Sequence, residues 1–378
     1  MLGPETPAPD AVPHHDPVAP FLVLHVNDIC NAECAHCVVA SGPRRRGHLP
    51  RAAACAAIEE AAADPAFRMV VFSGGETFIY LAEILELCRR AHGAGLQTRL
   101  ISNGYWGRTP RHAAGLLERV SEGGCDELAI SLDMFHLPYV QPERVKNVWL
   151  GAHLASALPK LVFTIAIPPT PASLLPAPMP DAREWPQGVI DVLKHYSFEL
   201  ERCLSVDEAT KYFKATPRAE RQSRRDALLR DRVIVSWQTV VNGGRASREL
   251  HDVFAEPTLS GALAVPCNVA GHQVTVASNG RLFPCCSSWS NFADRSFGVV
   301  DGPGSFTDGL DVLRRSAAVR AIREYGPGRL AERLSQQDSS LPRAYSDICH
   351  VCQELLQRYD IAQLDAEAHF LFDGTETP

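Results

Sequence analysis

Three cysteines, Cys30, Cys34 and Cys37, fall within eight residues in the stretch CNAECAHC. Thiolates at C-x3-C-x2-C spacing on one loop can grip a metal or an iron–sulfur centre. A structural zinc site takes four protein ligands, usually as two C-x2-C pairs, so three from one loop leave a coordination position open for chemistry. A second group occupies the last third of the chain: Cys267, the adjacent Cys285 and Cys286, and the C-x2-C pair Cys349 and Cys352. Four of these thiolates fit a cluster or a tetrahedral zinc site equally by spacing. Cys55, Cys88 and Cys125 lie in apolar stretches and read as small buried hydrophobes.

Other residues able to do chemistry stand at intervals through the first half. FSGGET carries Gly74, Gly75 and Glu76, ISNG carries Ser102 and Asn103, and ISLD carries Ser131 and Asp133. Paired glycines supply backbone that turns sharply and approaches a ligand closely. Glu76 also suits a helix N-terminus. The serines, the asparagine and the aspartate serve equally as turn residues or as partners of a ligand. His136, in LDMFHLPYV, either faces a substrate as acid, base or hydrogen-bond donor, or is a loop histidine without a role.

Strand-like runs position these residues: Phe21–Val26, Arg68–Phe72, Gln97–Ile101, Glu127–Ser131, Leu161–Ile167 and Val233–Trp237. Helix-period segments, Ala52–Ala63 and Phe78–His92, lie between the early ones. From the second strand to the fifth the repeat is about thirty residues, the length of a βαβ unit, which builds a parallel sheet with right-handed crossovers. Six units are too few for a closed eight-fold barrel, so the expected α/β fold is a partial barrel over residues 21–250. PPTPASLLPAPMP opens a linker and helical insertion over 168–231. Between Lys211 and Arg232 that insertion has eight basic residues against three acidic. It reads as a solvated amphipathic helix, or as a cap attracting an acidic substrate or partner. HQVTVASNGRLFPCC is a hairpin signal, and residues 251–378 read as a small cysteine-bearing second domain.

The 378 residues are 46% hydrophobic and 21% charged, with a formal net charge of −7. That balance gives no electrostatic reason to expect nucleic acid. No apolar run approaches the roughly 18 residues of a membrane helix. The start, with six prolines in twenty residues, lacks the regions of a signal peptide and reads as a disordered lead-in over 1–20. Twelve cysteines without an export signal point to metal ligands and a cytoplasmic protein rather than to disulfides.

The C-x3-C-x2-C loop after a first strand resembles the signature of the radical S-adenosylmethionine (SAM) enzymes. FSGGET, ISNG and ISLD fall where that family's partial (β/α)6 TIM-type barrel has its own landmarks, so the resemblance spans roughly Phe21 to Arg245. His36 departs from the aromatic residue that many members carry before the last cysteine. The resemblance implies a SAM-binding 4Fe–4S cluster on Cys30, Cys34 and Cys37, with the amino and carboxylate groups of SAM on the fourth iron. It implies that Gly74, Gly75 and Glu76 meet the methionyl amino group, and that Ser102, Asn103, Ser131, Asp133 and His36 border the cofactor. The second cysteine group resembles the twitch domain, the shorter relative of the SPASM domain. That likeness implies one auxiliary 4Fe–4S cluster on Cys267, Cys285, Cys349 and Cys352, with Cys286 as the alternative to Cys285.

On this resemblance the chain is an enzyme that takes an electron from an external donor such as flavodoxin or ferredoxin. It cleaves SAM reductively and removes a substrate hydrogen through the 5′-deoxyadenosyl radical. The substrate is a ribosomally made peptide undergoing net oxidation such as crosslinking. The alternative is dehydrogenation or epimerisation of a small molecule such as an aminoglycoside or sugar precursor. Epimerisation needs a hydrogen donor, for which Cys286 and Cys203 are the candidates. A non-catalytic zinc-stabilised binding protein is the reading from another class; it leaves SGGE and the three-cysteine loop without purpose.

Overall fold

A computed structural model of the chain describes residues 20–167, 233–250, 254, 258–259 and 263–372. The lead-in up to residue 19, the insertion expected over 168–231, and Cys203 lie outside them.

Six parallel strands form in chain order: β1 (Phe21–Asn27), β2 (Met69–Gly74), β3 (Gln97–Ser102), β4 (Glu127–Ser131), β5 (Lys160–Ile167) and β6 (Val233–Thr239). Each lies beside its predecessor, in the order that right-handed βαβ crossovers produce. Helices α1 (Arg51–Ala63), α2 (Leu81–Gly93), α3 (Pro110–Glu122) and α4 (Pro142–Leu154) fill the four crossovers from β1 to β5. Thr109 caps α3 by accepting the N–H of His112, with Pro110 opening the first turn.

Alternation along the strands sorts the two faces. Leu22, Leu24, Val70, Phe72, Leu100, Leu128, Ile130, Leu161 and Phe163 join the helix-covered core, where the small Ala53, Ala57 and Ala61 bring α1 close to the sheet. Ala129, Val162 and Ile234, with Ile101 against them, form a separate cluster on the opposite, inner face. At the N-terminal end of that face Glu127 pairs with Arg99 at 2.5 Å and Lys160 at 2.7 Å. Apolar filling and a paired charge leave the C-terminal strand ends as the place for chemistry.

The short strand β7 (Thr258–Leu259) pairs with β10 (Ala344–Tyr345) away from the main sheet. The expected hairpin is present as β8 (Gln273–Val276) and β9 (Leu282–Phe283), turned by Gly280 at φ 79°. β8 pairs in parallel with β1, so the hairpin continues the main sheet across residue 250. Helices 305–315, 317–325, 327–335, 348–358 and 361–369 complete the C-terminal part. No helix among the described residues is long and apolar enough to cross a membrane.

Candidate active site

The loop leaving β1 folds back on itself. Cys30 N donates to Gly42 O at 3.3 Å, Gly42 N to Asp28 O at 3.2 Å, and Cys37 N to Cys34 O at 3.1 Å. Ala32 N points at Cys30 Sγ at 3.4 Å, a donor suited to a thiolate. Burial pushes the Cys30 thiol up to about 12, and Glu76, Cys34 and Cys37 add to the rise. Burial also raises Cys37. Thiols on one loop give up their protons when a cationic centre is bound between them, which offsets the repulsion between the resulting thiolates. The donor set therefore fits a thiolate-held cluster.

The segment after β2 is stitched to this loop. Gly75 N donates to Asn27 O at 2.6 Å and Glu76 N to Ile29 O at 2.8 Å. Gly74 has φ 116°, and a Cβ there would lie 2.4 Å from Asn27 O. A Cβ on Gly75 would lie 2.0 Å from Ile29 O. Both glycines are required by the approach of one backbone to another, in addition to any approach to a ligand.

Glu76 is 1% exposed, and its carboxylate is used inside the protein. It accepts from Phe78 N at 3.0 Å, Ser102 Oγ at 2.8 Å and Asn103 N at 2.8 Å. Burial pushes the carboxyl up, against the pull of those donors. Ser102 Oγ also accepts from Trp106 Nε1 at 2.9 Å, so Ser102 too is committed to the scaffold. Asn103 reaches the other way. Its Nδ2 donates to Asn31 Oδ1 at 2.8 Å and lies 3.8 Å from Cys30 Sγ.

Beyond β4, Asp133 organises two histidines. Its Oδ1 accepts the N–H groups of Phe135 and His136 and sits 2.9 Å from His136 Nδ1, while its Oδ2 is 4.0 Å from His36 Nε2. The two imidazoles lie edge-on with centroids 5.1 Å apart. Ligand atoms of Cys34, His36 and His136 all fall within 4.8 Å of one another. Burial lowers His36 to about 4. Burial also works against a charged His136, but Asp133 and Cys34 outweigh it and hold His136 well above the ordinary range. His136 thus turns toward the cysteine loop. Ser131, partly exposed at the end of β4, stands in register with Thr164.

The second cysteine group converges as well. Burial raises Cys352 and Cys349, and both also feel Cys267 and Cys285. Cys285, pushed up to about 12 by burial, feels Cys286 and Cys267. Cys286 donates to Gln273 Oε1 at 2.9 Å and is raised to about 11 by burial. Helix 348–358 presents Cys349 and Cys352 one turn apart, and Asp347 caps it by accepting the N–H of His350 at 2.8 Å.

Sequence reasoning missed the turn after β6. Within VVNGGRASREL, Arg245 donates to Cys34 O at 2.9 Å and Ser41 O at 2.5 Å, and Asn242 N donates to Asp347 Oδ2 at 2.8 Å. The glycine pair was the available signal, because consecutive glycines mark close backbone approach. Asn31 was also missed; it stands inside the cysteine motif and had no other mark.

Residues 24–147 match the radical SAM superfamily. YydG of Bacillus subtilis (strain 168), whose name assigns it provisionally to peptide biosynthesis, is 27% identical over 339 residues, 88% of this chain and 90% of that protein. Among solved structures, Streptococcus suis SuiB bound to its precursor peptide SuiA is 15% identical, covering 88% of this chain and 76% of that one, with a TM-score of 0.46. The protein anSMEcpe with AdoMet and the Cp18Cys peptide is 16% identical, covering 93% and 99%, with a TM-score of 0.42.

Proposed function

Because the chain carries a radical SAM domain and is a radical SAM enzyme, we propose that it modifies a ribosomally made peptide by net oxidation, such as crosslinking. The observation that carries the peptide reading is the YydG relationship, which runs through nearly the whole of both chains. When bound, the cluster and SAM together supply an electron and an organic radical able to take an unactivated hydrogen.

The chain's own residues do the rest. Cys30, Cys34 and Cys37 hold the SAM-binding cluster. The Gly74–Glu76 backbone, fixed to Asn27 and Ile29, shapes the wall beside it. Asn103 and Asn31 form a polar rim next to Cys30. Asp133 orients His136 and His36 over the loop. The apolar inner face below excludes water.

Cys267, Cys285, Cys349 and Cys352 hold an auxiliary cluster in this reading, and residues 251–378 act as its domain. Supporting it, Cys349 and Cys352, both raised by burial, each feel Cys267 and Cys285, so the four thiols face one another. An external one-electron protein donor supplies the reducing equivalent.

The test is to incubate anaerobically reconstituted enzyme with SAM, reductant and the short peptides encoded beside its gene, in deuterated water. A product two mass units lighter, with no deuterium at the modified carbon, is expected. A product of unchanged connectivity that gains one deuterium would replace oxidation with epimerisation. Turnover of a sugar or aminoglycoside, with no peptide modified, would replace the substrate class.

A further inference from the structure

The turn Asn242–Arg245 touches both cysteine groups. On one side Arg245 N donates to Cys37 O at 2.9 Å, and the guanidinium donates to Cys34 O and Ser41 O. Gly244, at φ 60°, passes so close that a Cβ would lie 2.1 Å from Val38 O. On the other side Asn242 N donates to Asp347 Oδ2, and its Nδ2 donates to Ser346 Oγ at 2.9 Å. A Cβ on Gly243 would meet Ser288 Oγ at 3.1 Å, and Ser288 Oγ in turn donates to Cys349 O at 3.0 Å. Within four residues, Arg245 thus binds the backbone of the three-cysteine loop and Asn242 binds the side chains of Ser346 and Asp347 that open the helix bearing Cys349 and Cys352, with Gly243 and Gly244 packed close between them.

We propose that this turn is a strap holding the two cysteine sites at a fixed separation, and that Arg245 is the buried positioning residue and counter-cation of the three-cysteine loop. The proposal rests on reading that loop as a cluster site. Arg245 is 7% exposed, and its ion pair to Glu249 is long at 3.8 Å and half exposed on the glutamate side. A guanidinium so placed is costly unless a negative group nearby offsets it. A 4Fe–4S cluster on three thiolates carries net negative charge, one unit more when reduced, so Arg245 favours the reduced form. Its planar fork, spanning two carbonyls of the loop, fixes the loop geometry as well, which an ammonium would not do.

The two roles separate experimentally in the reconstituted full-length protein. Potentiometric titration followed by electron paramagnetic resonance reads the loop cluster, identified as the signal that SAM perturbs. Hydrogen exchange reads the backbone. In Arg245→Met the loop cluster is expected to reduce only at more negative potential, or to be lost. In Arg245→Lys the potential stays near that of the wild type, while exchange at 34–41 quickens about tenfold, as for a lost hydrogen bond of ordinary strength. In Asn242→Ala exchange quickens at 346–352 and the loop potential is unchanged. An Arg245→Met protein with full iron and an unshifted loop potential would overturn the proposal. A wild-type protein with no SAM-perturbed signal would instead overturn the cluster reading beneath it.

Discussion

The carboxylate of Glu76 takes the backbone N–H of Asn103 at 2.8 Å, tying the turn after β2 to the end of β3 beneath the cysteine loop. Phe78 N and Ser102 Oγ share the same carboxylate, so three donors depend on one buried side chain. Glu76→Ala would leave them unsatisfied at a cost of roughly 3 kcal/mol or more. We expect a clear fall in the denaturant midpoint of the metal-free protein, before any question of SAM affinity arises. A Glu76→Ala protein of wild-type stability but weakened SAM binding would show instead that the carboxylate serves the cofactor directly.

The neighbouring thiols Cys285 and Cys286 should differ in kind. Cys349 and Cys352 feel Cys285, whereas Cys286 is turned to Gln273. Cys285→Ala is expected to lose the auxiliary cluster, about four irons per chain, and to destabilise the C-terminal part. Cys286→Ala is expected to keep all the iron. The reverse pattern in iron analysis would exchange their roles.

His25 gives the fold a dependence on pH. Burial lowers its imidazole from the ordinary 6.5 to about 4, so the folded chain keeps it neutral where the unfolded chain takes up a proton. Below pH 6.5 the unfolded state binds more protons, and stability falls as pH drops toward 4, by roughly 3 kcal/mol over the window. Denaturant unfolding of the metal-free protein at pH 7 and pH 5 measures this. His25→Gln should flatten the difference; an equally steep loss in that variant would assign it to other groups.

The barrel was legible because its signals are local. Each of the six strands was expected within a residue or two of its observed bounds, since apolar runs closed by Gly, Ser or Asp carry both the strand and its end. The SNG hairpin was legible for the same reason. Its parallel pairing with β1 was not, because that contact joins residues some 250 positions apart, as Leu22 with Val274 shows. Glu76 illustrates the limit for sites. Its type and position marked it as important, yet only the fold shows both oxygens occupied by β3 and the following turn. Arg245 was illegible because its partners are backbone carbonyls of Cys34 and Ser41, which no side-chain pattern encodes.

The most direct measurement counts iron and SAM cleavage in the same preparations. Seven thiolates in two sets predict two 4Fe–4S clusters, about eight irons per anaerobically reconstituted chain. The wild-type protein should form 5′-deoxyadenosine from SAM under reduction. Replacing Cys30, Cys34 and Cys37 together with Ala should leave about four irons and no 5′-deoxyadenosine. Continued SAM cleavage by that triple variant would contradict the assignment of the chemistry to the loop after β1.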